Sequence, residues 1–401
     1  MNSENLKLIP VLSENIKFNR LGSKEYILCN NFNKHYLKIN ADVYNLILLI
    51  DGVSDIESIA FKFSSQKSKI INPEKIFQLI YLYLAKYGVL KGCEGQIKPF
   101  TKPSYLNLSF IIINERILSK FVKLFYFLFN KTIAIFTSLF CLGIIISLLI
   151  FNFNIYQSFD LQKSLLTFII VMAFSVTFHE IGHATSASFF GAKHGGIGGG
   201  FYLFTPVYFA DVTDIWSLNK KQRIIVNIAG MYFELIFCAI LALIALLIKN
   251  ELLMITSIIV CLHTLFNLNP FLRSDGFWIL SDLTNKPNLF FHAFNKVKDL
   301  LRFIKGQRIK KWLWVDFLLF FYGMISLTFI LLFLFYVLVK NPNSIIYFPQ
   351  NIFLFFKDIF KNDSRTSLVE LGKLTIPLIF YYILINFCKK TYYSYFRKNS
   401  N

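Results

Sequence analysis

The sequence predicts a mainly α-helical polytopic membrane protein, with about six transmembrane helices preceded by a small α/β, winged-helix-like cytosolic domain. Three observations predict it. The 401 residues are 55% apolar and only 16% charged, against about 25% charged in an average soluble domain. Several apolar runs beyond residue 131 exceed the ~18 residues that mark a spanning helix. Residues 1–95 instead mix polar and apolar positions at strand and helix spacing. This composition excludes a disordered chain, which needs low hydrophobicity, and an ordinary soluble enzyme. The polar start, Met1-Asn2-Ser3-Glu4-Asn5, reads as no cleavable signal peptide, so the N-terminus is expected in the cytoplasm.

Each N-terminal element has its own signal. Glu25–Asn30 and His35–Ile39 read as two short strands joined by the polar turn Asn31-Phe32-Asn33-Lys34. Asn40 is placed to cap a helix whose apolar face is Val43, Leu46, Ile47 and Ile50, ended by Asp51-Gly52. Ser54 is expected to cap a second helix carrying Ile56, Ile59, Ala60 and Phe63. Asn72-Pro73-Glu74 starts a third, with proline in its first turn, and Gly88 stops it. Residues 96–130 read as a linker and membrane-proximal segment, with Pro99 and Pro103 and an apolar strand at Tyr105–Ile113.

Residues 131–390 read as the membrane domain. Six spans are expected at 132–152, 164–188, 224–248, 252–272, 312–339 and 370–388, each able to cross a core of ~30 Å. Lys and Arg divide 21 to 7 between alternate loops. The rich side should be cytoplasmic, which makes this a multi-pass cell-membrane protein with both termini, and the cytosolic tail 391–401, on the cytoplasmic side. The net charge of +19 is thereby a topology device, and no nucleic-acid partner is expected. Residues 285–311 alternate apolar and basic positions at helical spacing. They form an amphipathic helix, either on the inner leaflet or packed on the protein. A similar helix is expected at 344–360. The six cysteines are scattered singly, without a CxxC pair, and read as buried small apolar groups rather than disulfides.

The chemistry sits at the end of the second span. Phe178-His179-Glu180-Ile181-Gly182-His183 puts two imidazoles on one helix face, one turn apart, where they can share a tetrahedral metal. Glu180 sits beside the first, placed to take a proton from a metal-bound water. Zinc takes His nitrogens plus a carboxylate and leaves one position for water. The fourth span ends Asn267-Leu268-Asn269-Pro270-Phe271-Leu272-Arg273-Ser274-Asp275-Gly276. Pro270 breaks that helix, Gly276 allows close backbone approach, and Asp275 is freed to turn inward as a third ligand. Both spans run toward the same face. His179 lies roughly 22 Å along its ~30 Å span, which puts the metal beneath the inner surface.

His179–His183 and Asn267-x-x-Pro270-x-x-x-x-Asp275-Gly276 resemble the paired motifs of the site-2 protease family of intramembrane zinc metalloproteases. The stretches Phe204–Trp216, Gln222-Arg223, Ala229–Glu234 and Asp275–Leu283 narrow the resemblance to its peptide zinc metalloprotease branch, found beside genes for ribosomally made, modified peptides and their exporters. The resemblance covers about residues 130–390. It implies a zinc endopeptidase with Zn2+ on His179, His183 and Asp275, Glu180 as catalytic glutamate, and Asn267 orienting substrate or steadying an oxyanion. It names no substrate-binding residue. Residues 1–95 are similar to PqqD-like peptide-recognition domains through Leu37–Asn40, Leu48–Gly52, Ile56–Ile59 and Tyr87–Leu90. That likeness implies capture of a leader peptide by strand addition, with a structural cap or a nucleic-acid winged helix as alternatives.

The activity expected is cleavage of a precursor peptide in the maturation or export of a modified peptide or bacteriocin. A peptide-modifying enzyme, an exporter and the lipid bilayer are the implied partners. The alternatives are release of a membrane-anchored regulator and a non-catalytic peptide-binding subunit of an exporter. Some residues stay open. Glu234 either holds a ligand imidazole or pairs with Arg223 or another polar group. His263 either faces the site or is a satisfied core histidine. Asp211 and Asp214 either line a substrate path or sit in a solvated loop, and His194 reads as structural. The Gly195–Gly200 run is expected to form a membrane-dipping hairpin or an edge strand, with Phe201–Tyr208 offering backbone to an extended substrate.

Overall fold

The computed structural model describes residues 3–20, 25–30, 32–33, 35–97, 107–151, 161–202, 205–360, 374, 376–385 and 388. The expected tail 391–401, Pro99, Pro103, Tyr105 and part of the Asn31–Lys34 turn lie outside them. The chain divides into two compact units, Met1–Tyr202 with Pro206–Pro287, and a second built on Asn288 onward.

The first unit opens with an antiparallel sheet, β1 (Ile16–Arg20), β2 (Glu25–Asn30) and β3 (His35–Asn40), in that order. Glu25 stands opposite Asn40 and Arg20 opposite Tyr26. Asn40 caps α1 (Ala41–Leu48) by accepting the Val43 N–H, as expected. Asp55 rather than Ser54 caps α2 (Ile56–Lys67). Ser54 is drawn away because its hydroxyl and N–H both donate to Asp51. Asn72 caps α3 (Pro73–Phe77), which runs on in wider turns to Leu84 and stops at Gly88, φ +69°. Leu28 of β2 faces the helices, packing with Ile39, Ile47, Leu84 and Val89. Ile27 and Cys29 face the other way, toward Tyr36 and Trp216. The strand is therefore buried on both faces, which is why its sequence is a continuous apolar run.

A second sheet follows in the order β4 (Asn107–Ile113), β5 (Ile197–Tyr202), β6 (Thr205–Ala210). The glycine-rich strand β5 is the middle strand, not an edge; β4 and β6 hold the edges. Between β4 and β5 come α4 (Glu115–Val122), α5 (Lys131–Phe151) and α6 (Leu161–Phe189). Then α7 (Lys220–Leu247), α8 (Glu251–Phe266) and α9 (Asp275–Thr284) complete the unit. Small residues of α7, Ala239, Ala242 and Ala245, pack on Cys141, Ile144 and Leu148 of α5 and on Met254 and Ile258 of α8.

The second unit holds α10 (Leu289–Ile304), α11 (Trp314–Phe335), α12 (Pro342–Ile346) and α13 (Phe348–Phe360). The apolar face of α10 packs on α11: a Cβ on Gly323 would sit 2.8 Å from the Ala293 carbonyl oxygen, and Lys296 pairs with Asp316 at 2.9 Å. Of the two settings expected for this amphipathic helix, its apolar face thus has a protein partner.

Four described helices are long and apolar enough to cross a membrane: Lys131–Ile150, Leu165–Phe189, Lys220–Leu247 and Trp314–Lys340. They stand where four of the six expected spans were read. The expected span 252–272 is instead α8, 16 residues long and about 24 Å in length, short of the ~30 Å core. It stops at Phe266, ahead of Pro270, which disfavours helix in the residue before it. The expected span 370–388 is described chiefly as the helical segment Ile376–Ile385.

Candidate metal centre

α6 supplies His179, Glu180 and His183, all buried. α7 lies against it because Gly182 leaves room for the Ala229 carbonyl and the Phe233 side chain, whose Cβ is 2.9 Å from where a Gly182 Cβ would stand. The third component arrives through the Asn267–Ser274 loop. This loop closes on itself: Ser274 Oγ donates to the Asn269 carbonyl at 2.6 Å, and the Phe271 N–H to Asn269 Oδ1 at 2.9 Å. The Gly276 N–H donates to the Asn267 carbonyl at 2.9 Å. A side chain at 276 would press on the Leu268 backbone, with Cα 2.9 Å away and the carbonyl closer. Glycine there lets the first turn of α9 lie on the loop, and Asp275 is the first residue of that helix.

His179, His183 and Asp275 bring their donor atoms together. His179 Nε2 is 3.1 Å from His183 Nε2 and 3.0 Å from Asp275 Oδ2, and His183 Nε2 is 3.3 Å from Asp275 Oδ1. Ligand atoms about 2.0–2.1 Å from a tetrahedral zinc stand about 3.3 Å from one another, so the triangle has the right size. The imidazoles are fixed from behind. His183 Nδ1 lies 2.7 Å from the Val226 carbonyl. A carbonyl can only accept, so that nitrogen carries the hydrogen and Nε2 presents its lone pair. His179 Nδ1 lies 3.1 Å from Glu234 Oε2, and an ionised carboxylate imposes the same tautomer. Asp275 Oδ2 is buried with no hydrogen donor. Two nitrogen lone pairs and a carboxylate therefore converge on one point, an arrangement that a cation satisfies and hydrogen bonds do not.

Gly230 on α7 completes the fit. A Cβ there would be 2.6 Å from His179 Nε2 and nearer to His183 Nε2. The absence of a side chain at this position is what leaves space in front of both nitrogens.

Glu180 Oε2 accepts the Ala210 N–H at 2.6 Å, which ties the glutamate to the end of β6. α9 is held to α7 by Arg223, whose Nε donates to Asp282 Oδ1 at 2.7 Å, and by Asn227, which donates to Asp282 Oδ2 at 3.2 Å. Arg223 also lies over the Trp216 ring at 5.2 Å. Trp216 and Asp214 touch the N-terminal sheet. Tyr36 Oη donates to Asp214 Oδ1 at 2.6 Å, Asn19 Nδ2 donates to the carbonyls of Trp216 and Ser217, and Cys29 packs on Trp216. Burial, then the Asp214 carboxylate, pushes the Tyr36 hydroxyl above its ordinary range, so it stays a donor.

The structure thus assembles His179, His183 and Asp275 and holds Glu180 beside them in the chain. Asn267 enters through its backbone carbonyl, which steadies the turn delivering Asp275. Asp214 is a buried structural acceptor, taking the Lys193 N–H at 2.7 Å as well as the Tyr36 hydroxyl. His194 is buried, with Nδ1 2.9 Å from the Gly195 carbonyl. Sequence reasoning missed Gly230 and the Arg223–Asp282 pair. The available signal for Gly230 was a glycine inside an apolar helix, which costs about 1 kcal/mol against alanine and so marks a packing need.

Part of the chain is similar to a curated protein of Bacillus subtilis (strain 168), named "Putative peptide zinc metalloprotease protein YydH". The two are 29% identical over 121 residues, which is 29% of this chain and 48% of the relative. The matched stretch thus spans about half the relative's length. No family model matches the chain, and no solved structure does. At this distance the similarity supports a metalloprotease-like protein, and the four apolar helices support a membrane protein.

Proposed function

We propose that this chain is a zinc-dependent endopeptidase that cuts a precursor peptide at or within the membrane. The observation that carries the reading is the convergence of His179, His183 and Asp275, with each imidazole locked by a partner on its far nitrogen. Zinc bound there would supply a Lewis acid for the scissile carbonyl and lower the pKa of its water toward ~7. Glu180, next to His179, takes the water proton and hands it to the leaving amine. Its bond to the Ala210 N–H orients the carboxylate. Asn267 is assigned to substrate orientation or to the oxyanion, on the resemblance of its motif.

The substrate must be extended for its carbonyl to be reached. β6 is an edge strand whose last residue, Ala210, holds Glu180, so a peptide paired along that edge would run past the glutamate. Residues 1–95 act as a PqqD-like capture domain for a leader peptide, raising its concentration near the site. The domain layout is 1–95, 96–130, 131–390 and 391–401, with both termini cytoplasmic on the 21-to-7 division of basic residues. The product is a trimmed, modified peptide or bacteriocin passed to an exporter. The chemistry at His179, Glu180, His183 and Asp275 favours this reading over a non-catalytic subunit, which needs no proton acceptor beside a metal.

The test is Glu180→Gln in the full-length protein. Cleavage of the cognate precursor should fall by about 10²–10⁴-fold, the usual contribution of a positioned general base, while bound zinc is unchanged. Undiminished cleavage by folded, zinc-loaded Glu180→Gln protein would refute the assignment.

A further inference from the structure

Glu234 lies midway along α7, fully shielded from solvent, in a helix apolar enough to cross a membrane. A carboxylate in such a place is costly unless its oxygens are fully used. They are used by three partners from two other helices. Oε1 accepts from Ser175 Oγ of α6 at 3.0 Å and faces His263 Nδ1 of α8 at 2.7 Å. Oε2 is thereby left for His179 Nδ1 at 3.1 Å. Arg223, the other partner open to Glu234 on sequence, is taken by Asp282.

The two candidate zinc imidazoles are consequently held by unlike groups. A neutral peptide carbonyl holds His183, whereas a charged carboxylate holds His179, with a second histidine behind it. A carboxylate behind an imidazole fixes its ring plane and tautomer and makes the metal-facing nitrogen a stronger donor. His263 and Ser175 do for Glu234 what Glu234 does for His179: by occupying Oε1 they settle which oxygen is left. The chain His263–Glu234–His179 links α8, α7 and α6 and ends at the metal position. The side chain of His263 is 35% exposed, so this chain begins at a partly open position and ends at a closed one.

We infer that Glu234 and His263 are positioning residues for the metal centre, setting the tautomer and donor strength of His179 through a three-helix hydrogen-bond chain. This rests on the zinc reading above. A purely structural Glu234 would tie the helices together without affecting the metal.

The experiment compares wild type, Glu234→Gln, Glu234→Leu and His263→Phe as full-length proteins in detergent. Zinc affinity is read by competition with a chromophoric chelator, the ligand field by cobalt substitution, and folding by thermal unfolding of the metal-free forms. Removing an outer partner of a ligand histidine typically costs 10–100-fold in metal affinity. Glu234→Leu should lose about that much. Glu234→Gln keeps an acceptor for the His179 N–H and should recover most of the affinity, while shifting the cobalt bands because the charge is gone. His263→Phe, at the partly exposed end, should lose less than Glu234→Leu. Wild-type zinc affinity and wild-type cobalt spectra in both Glu234→Leu and His263→Phe would overturn the inference while leaving the metal centre in place. If Glu234→Leu does not fold, His263→Phe and Glu234→Gln carry the test alone, and wild-type values in both overturn it. A wild-type protein that binds no zinc would sink the metal reading itself, and this inference with it.

Discussion

Gly230→Ala isolates the metal centre without altering any candidate ligand. The added methyl would stand 2.6 Å from His179 Nε2 and nearer to His183 Nε2. Non-bonded heavy atoms settle at about 3.5 Å or more, so each imidazole must retreat by roughly 1 Å. A metal site tolerates deviations of about ±0.2 Å in its ligand distances. Retreat is also resisted, because Glu234 and the Val226 carbonyl hold both rings from behind. Loss of an outer partner alone costs up to about 100-fold in metal affinity. Displacing the ligands themselves should cost at least about 100-fold, equivalent to about 2.7 kcal/mol. Overpacking should also destabilise the metal-free fold by about 1–3 kcal/mol. The assay is zinc content and chelator competition on purified protein, alongside thermal unfolding without metal. A folded Gly230→Ala protein holding one zinc at wild-type affinity would refute the geometry on which the centre is built.

Two other outcomes follow from the same site. Stripping zinc with a chelator should lower the unfolding midpoint; at free zinc 100-fold above Kd the stabilisation lost is about 2.7 kcal/mol, and an unchanged midpoint in wild type would contradict a resident metal. Arg223→Leu leaves the Asp282 carboxylate buried without its ion-pair partner, an error that costs about 3–5 kcal/mol; thermal unfolding checks it, and a midpoint within a degree of wild type would show that α9 is held by other means.

How much of this was legible in the residues differs from element to element. His179 and His183 were readable because helical spacing alone puts them on one face, and Asp275 because Pro270 and Gly276 mark a broken helix with a close turn. The cap at Asn40 and the stop at Gly88 followed from local chemistry, and both stand. The cap of α2 was misread by one residue because Asp51, four residues earlier than Asp55, competes for Ser54. The glycines of β5 carry no label saying which side is paired; only the register with β4 makes that strand central. β1 was not anticipated: Ile16-Lys17-Phe18-Asn19-Arg20 is short, and its pairing with β2 is a non-local fact. Among the described residues four helices are long enough to span, and the fourth expected span is cut short because the helix ends at Phe266, ahead of Asn267–Pro270, where the apolar run continues but the backbone stops being helical. The partner of Glu234 is not legible in the sequence, since a buried acid does not declare which neighbour it faces until three helices are brought together.

The seating of the N-terminal sheet on the Thr213–Ser217 segment bears on how this protein can be dissected. Tyr36 and Asn19 supply donors to Asp214, Trp216 and Ser217, and Cys29 covers the indole. Cutting the chain near residue 95 would uncover that indole and take the Tyr36 hydroxyl from the buried Asp214 carboxylate, leaving it the Lys193 N–H alone among those two donors. Loss of activity in such a truncate would therefore report damage to the Thr213–Ser217 seat as well as the removal of residues 1–95.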